Sequence, residues 1–246
     1  MKQKKNSKAD FNGGSQDRMS NKSKSSKSGK GKPGSGRKKA GRNVGSRPGE
    51  KEPLGLRVIG GRLRGSKLLY SGDNRVRPMK DRTREAVFNL INVAVNGKHV
   101  IDLFAGTGAL AVEALSRGAK SASIVEVHLA TMRNLRQNIE AFQLDEKCRL
   151  IQADAFYLAK RQNELFVPAG VPWLVFCSPP YEFYVSKQKE MLEMLKLLYD
   201  GAPDGSVFVI ESDNRFDFDL LQLSDENDLR RRSYAPAEIG IYRKYL

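Results

Sequence analysis

Two cysteines and two histidines in 246 residues leave little material for soft-metal or triad chemistry. Cys148 and Cys177 lie in apolar surroundings and read as core thiols, not as a disulfide framework or a metal cluster. His99 and His128 alone are too few for a histidine-based metal site or a nucleophile–base triad, so no metal is expected. No apolar stretch follows Met1, and none approaches the roughly 20 residues that cross a bilayer. Neither a signal peptide nor a membrane partner is expected, and the chain reads as a cytoplasmic monomer. Acids are scarce at one end: residues 1–52 carry 16 Lys or Arg against 4 Asp or Glu, so 12 of the 15 net positive charges lie there.

That basic segment is Lys, Ser, Gly and Asn with almost no apolar residues, and it cannot bury enough surface to offset its ordering entropy. Residues 1–54 are expected to be a disordered tail able to contact nucleic-acid phosphates without sequence preference. The texture changes at Leu56. Residues Leu56 to Ile59 and Arg62 to Leu68 alternate like two short strands about a Gly60-Gly61 turn, giving a basic hairpin extension over 55–80. A helix follows, with Asp81 as its expected N-cap and Ala86, Val87, Leu90, Ile91 and Ala94 on one face. Arg82 and Arg84 in its first turn oppose the helix dipole, so their presence asks for another reason. Between Arg57 and Arg84 there are nine basic and two acidic residues. A phosphate-binding surface made by Arg62, Arg64, Lys67, Arg77, Arg82 and Arg84 accounts for that density, and a solvated face is the alternative.

The stretch Val100 to Leu110 runs from an apolar strand through Gly106 and Gly108 into a helix. Glycines there allow positive φ and close approach of a ligand, and the helix start offers N–H groups. Asp102, four residues before Gly106, suits a cationic amino-acid moiety and would repel a pyrophosphate, which favours S-adenosylmethionine over a dinucleotide. Ser121 to Glu126 reads as a second buried strand ending in a carboxylate that can accept from ribose hydroxyls. Leu150 to Ala155 reads as a third strand, and Asp154 at its exit either accepts from an adenine amino group or caps the next helix. Trp173 to Cys177 is a continuous apolar run of the kind a central parallel strand shows, and it opens into Ser178, Pro179, Pro180 and Tyr181. Two prolines remove two donors and leave carbonyls free to face a cavity beside an aromatic ring. Met191 to Leu198 marks a helix and Val207 to Ile210 a fifth strand. Leu229 to Ala235 with Glu238 to Tyr245 forms an antiparallel hairpin at the sheet edge. The order is α/β: a mostly parallel seven-stranded Rossmann-like sheet within residues 81–246.

With these motifs in order, residues 56–245 resemble the bacterial 16S ribosomal RNA guanine-N2 methyltransferases of the small-subunit methyltransferase D family. The likeness is carried by Val58 to Leu68, by Arg77-Pro78 with Asp81 to Asn89, by Asp102 to Leu110 and by Glu113 to Ala119. The resemblance implies a class I methyltransferase fold and transfer of a methyl group from S-adenosylmethionine to the exocyclic N2 of a guanine. The implied partner is 16S ribosomal RNA, free or in a small subunit or assembly intermediate. Asp102 and the turn of Phe104, Ala105, Gly106, Thr107 and Gly108 would hold the methionine portion, Glu126 the ribose, and Asp154 with the Ala155 amide the adenine. The catalytic tetrapeptide would be Ser178, Pro179, Pro180 and Tyr181, with Tyr181 stacking on a swung-out guanine. The family pattern begins that tetrapeptide with Asp or Asn. Serine here keeps acceptor lone pairs but is shorter, uncharged and unable to serve as a base.

Three other readings stand beside this one. A non-catalytic RNA-binding or assembly protein is suggested by Ser178 and the tail. An amine methyltransferase acting on DNA or protein uses the same tetrapeptide. A nicotinamide dehydrogenase satisfies the loose pattern Gly106-x-Gly108-x-x-Ala111, although it gives Asp102 and the proline turn no role.

Overall fold

The computed structural model describes residues 55–72, 76–223 and 229–245, so the expected tail lies outside the described residues. Seven strands form one sheet: β1 (His99–Asp102), β2 (Ser121–Val125), β3 (Cys148–Ile151), β4 (Trp173–Cys177), β5 (Val207–Ser212), β6 (Arg230–Tyr234) and β7 (Ala237–Arg243). Their order is β3-β2-β1-β4-β5-β7-β6, parallel through β5, with β7 antiparallel to both neighbours. The helices are α1 (Asp81–Ile91), α2 (Ala109–Ser116), α3 (Leu129–Ala141), α4 (Ala155–Ala159), α5 (Phe183–Ser186) and α6 (Gln188–Gly201). Seven strands and an antiparallel C-terminal hairpin agree with the sequence pattern.

The central strands are apolar on both faces because helices cover both. Val100, Leu174, Phe176, Val207 and Val209 enter one core with α1 to α3, while Ile101, Val175, Cys177, Phe208 and Ile210 enter the other with α4 to α6. That alternation is the two-residue period of a strand. His99 belongs to this interior: its ring nitrogens lie 2.8 and 2.9 Å from the Ser121 and Ser123 hydroxyls, and burial lowers its pKa to about 4. Among the described residues no helix is long and apolar enough to cross a membrane.

The N-terminal hairpin is shorter in strand and longer in turn than its alternation predicts. Only Arg57 and Lys67 form a bridge, flanked by Val58 N–Ser66 O at 2.9 Å and Leu68 N–Leu56 O at 2.8 Å, and the chain turns over 60–65. Leu56, Val58 and Leu68 join the core of the sheet's α1–α3 side. The turn is held by α2: the Glu113 carboxylate accepts from Ile59 N and Gly60 N, both at 2.7 Å, and the Ser116 carbonyl accepts from Arg62 N at 2.9 Å. The second arm is held by α3, where Asn138 accepts from Leu69 N and donates to Leu69 O. Gly61 sits at φ +74°, and a Cβ there would meet the Ser116 carbonyl oxygen at 2.0 Å. Gly61→Ala is therefore expected to lower stability by about 2–3 kcal/mol, from left-handed strain plus overlap with immobile backbone. Urea unfolding checks this, and a change under 0.5 kcal/mol would show that the turn relaxes freely.

Two expectations on α1 change. Asp81 is the first helical residue and Lys80 occupies the cap position without a side-chain hydrogen bond. Arg84, expected to face RNA, is fully buried: it donates to the Arg57 carbonyl at 2.5 Å and to Asp81 at 3.0 Å, and lies 4.0 Å from Glu113. The reason for a cation in that first turn is internal. It bridges the hairpin, α1 and the buried carboxylate of α2, and it is not available to a phosphate.

Candidate active site

The carboxyl ends of β1, β2, β3, β4 and β5 open on a cavity of about 450 Å³, a volume within the range of small-molecule sites. Phe104, Ala105, Gly106 and Thr107 line it from the turn after β1, Glu126 from the end of β2, and Asp154 with Ala155 from the turn after β3. Ser178, Pro179, Pro180 and Tyr181 line it from the end of β4. The structure thus gathers both halves of the predicted site around one space.

The glycine turn is built by tight local bonds. Gly106 and Gly108 take φ of +52° and +77°, Gly108 N donates to Ala105 O at 2.8 Å, and α2 begins at Ala109. A Cβ on Gly108 would stand 2.2 Å from Leu135 Cδ1, so helix α3 packs directly on the turn. Glu126, 7% exposed, holds the turn from the side: one carboxylate oxygen accepts from Gly106 N at 2.9 Å and the other from His128 N at 2.7 Å. Each oxygen keeps acceptor capacity toward the cavity. Asp154 caps α4 by accepting from Phe156 N at 2.7 Å, and it also lines the cavity, so the two roles weighed for it coexist.

Asp102 and Gly108 are not on the cavity wall. Asp102 is 1% exposed at the end of β1, and neither carboxylate oxygen has a hydrogen-bond partner. Burial raises its pKa to about 7; the nearby Ala111 N–H, outside normal hydrogen-bond geometry, pulls the other way, and the Glu126 charge adds a smaller upward push. A buried carboxylate without a normal hydrogen bond, directly under the glycine turn, costs stability unless a cation approaches it. This is the property expected of an acid kept for an ammonium group.

Two features that the sequence did not show complete the cavity. Phe104, Phe156 and Phe183 form a triangle with ring centroids 6.0–6.2 Å apart, and the Lys187 ammonium lies 4.7 Å from the Phe183 ring. Glu211, 7% exposed at the end of β5, accepts from the Ser178 hydroxyl through one oxygen and from the Tyr181 hydroxyl through the other, the latter at 2.7 Å. Burial first, then the Glu211 charge, raises the Tyr181 pKa, which keeps the phenol a donor. Glu211 was invisible in the sequence because the fifth strand read as ending at Ile210. Parallel pairing of Cys177 with Ile210 is what sets residues 178 and 211 side by side.

Of the basic residues, Arg62, Arg64, Lys67, Arg77 and Arg82 are exposed, and Arg77 and Lys80 line the cavity mouth. Strand β6 adds Arg230, Arg231 and Arg232, all exposed, which the sequence reading passed over.

Residues 56–243 match the family model described as Conserved hypothetical protein 95. The chain is 32% identical to the ribosomal RNA small subunit methyltransferase D of Escherichia coli K12 over 162 residues, covering 64% of this chain and 75% of that protein. It belongs to that methyltransferase D family. The Haemophilus influenzae member is 31% identical over 135 residues, covering 54% of this chain and 67% of that protein. The fold is shared with the Thermus thermophilus 16S rRNA N2 G1207 methyltransferase, solved with AdoMet and guanosine. That likeness has a TM-score of 0.56 at 20% identity, over 78% of this chain and 50% of that one. The family match runs over residues 56–243 and so takes in Ser178, where the resemblance implies an Asp or Asn.

Proposed function

We propose that this chain is an S-adenosylmethionine-dependent methyltransferase that modifies the exocyclic N2 of a guanine in 16S ribosomal RNA. The observation that carries the reading is the joining of the glycine turn, at Phe104 to Thr107, and the proline tetrapeptide around one cavity. Residues Phe104 to Thr107 would seat the methionine portion above Asp102, Glu126 the ribose, and Asp154 with the Ala155 amide the adenine. The buried oxygens of Asp102, beneath that turn and without a normal hydrogen bond, would suit the ammonium of that ligand. When bound, the cofactor supplies a methyl group already activated on a sulfonium. What remains for the protein is to place the acceptor nitrogen in line and to exclude water, a positioning effect that can supply several kcal/mol. The Pro179-Pro180 turn fixes the backbone on which the base would rest, and Tyr181 offers its ring.

The test is methyl transfer from labelled S-adenosylmethionine to small-subunit RNA and to small-subunit particles, with DNA and peptide amines as competing acceptors. Transfer to RNA or particles alone supports the proposal, whereas transfer to none of them overturns it. For the RNA surface, replacing Arg62, Arg64 and Lys67 together by Ala should lower the slope of log affinity against log salt by about 2–3 if each meets a phosphate. An unchanged slope would remove the hairpin from the interface.

A further inference from the structure

Ser178 leaves the acceptor half of the site one carboxylate or carboxamide short of its family pattern, and the neighbouring strand brings a carboxylate to the same place. We propose that Glu211 is the residue that recognises the target guanine, accepting hydrogen bonds from its N1–H and N2–H. This rests on the methyl-transfer reading above and adds to it the group that reads the base.

The geometry carries the argument. A carboxylate has about four acceptor positions on two oxygens. In Glu211 the Ser178 hydroxyl takes one on Oε2 and the Tyr181 hydroxyl takes one on Oε1. One position per oxygen remains, and Glu211, Ser178 and Tyr181 all line the cavity. Two parallel acceptors match the two parallel donors that guanine carries on its Watson–Crick edge. Adenine and cytosine present one donor beside one ring-nitrogen acceptor, which a carboxylate oxygen repels. The two hydroxyls lock the carboxylate rotamer, so the acceptors are fixed before the base arrives. Ser178 is thereby a positioning residue, its hydroxyl donating to the glutamate of β5.

The chemical step balances on the same group. The N2 lone pair forms the new N–C bond, the methyl–sulfur bond breaks with its electron pair going to sulfur, and the proton lost by N2 passes to a Glu211 oxygen.

Glu211→Gln tests this, because the carboxamide keeps one acceptor and turns a donor toward one of guanine's. We expect kcat/KM for small-subunit RNA or particles to fall at least 100-fold, with S-adenosylmethionine affinity and thermal midpoint unchanged. In the presence of S-adenosylhomocysteine, the wild-type preference for guanosine over inosine as a bound nucleoside should disappear. Ser178→Asp in the Glu211→Gln background should recover at least tenfold in transfer, since it returns a carboxylate to the same wall. Wild-type transfer by Glu211→Gln would overturn the assignment, as would a loss of transfer accompanied by lower cofactor affinity or midpoint. A wild-type protein without transfer would instead overturn the functional reading itself.

Discussion

Glu113→Gln is expected to cost about 3–5 kcal/mol of folding stability, the range for breaking a buried charge pair by removing one partner. The carboxylate is fully buried on α2 and serves four groups. Oε1 accepts from Gly60 N and Arg117 Nε, both at 2.7 Å, while Oε2 accepts from Ile59 N at 2.7 Å and lies 4.0 Å from Arg84 Nε. A carboxamide would turn an N–H donor against one of these donors and strip the charge that balances Arg84. Arg84 is already strained in this sense, since desolvation lowers its pKa and its Nε has no hydrogen-bond partner. The loss should be felt first at the hairpin, whose turn would keep only its Ser116 contacts. Chemical unfolding gives the total, and hydrogen exchange at Ile59 and Gly60 should accelerate ahead of the sheet amides. A cost below 1 kcal/mol would show that the hairpin docks by its apolar residues alone.

Asp102 should make the ligand-free protein less stable as pH rises from about 4 to about 7. Its folded pKa, about 7, stands above the ordinary 3.8 of an exposed aspartate, so the native state holds a proton that the unfolded state has lost. Unfolding therefore releases a proton in this range, and stability declines with rising pH until the folded pKa is passed. The difference between those two values corresponds to at most about 4 kcal/mol. Asp102→Asn should abolish this share of the pH dependence and leave the ligand-free protein more stable than wild type at pH 8. The same substitution should weaken S-adenosylmethionine binding, whose ammonium would hold Asp102 ionised. Wild-type affinity should rise with pH up to about 7 and that of the variant should not. Unfolding of both proteins at pH 5 and pH 8, with calorimetry at each, separates these effects. Parallel stability curves for the two proteins would show that Asp102 is already satisfied.

The two predictions concern carboxylates that the sequence displays equally plainly, yet only one had a legible role. Asp102 stands at the end of an apolar run and before a glycine turn, and local pattern alone places it beneath that turn, where the proposed role follows. Glu113 lies within a helix, 53 residues from the turn it holds, and nothing local marks it as buried. Arg84 failed the sequence reading for the same reason. Charge density over residues 57–84 is visible along the chain, but which of those side chains points inward depends on where α2 sits.

By itself, then, the sequence determined the α/β order, the strand runs that both helical layers cover, the glycine turn, the proline turn and the family. Each is written in contiguous residues whose periodicity or backbone preference acts locally. Only the tertiary structure decided how residues far apart share a charge. The register of β4 on β5 sets Ser178 beside Glu211, and the docking of the hairpin on α2 turns Arg84 and Glu113 into interior partners. Such pairings follow from the packing of elements, and packing is settled by apolar faces that do not specify which polar groups will meet at their edges.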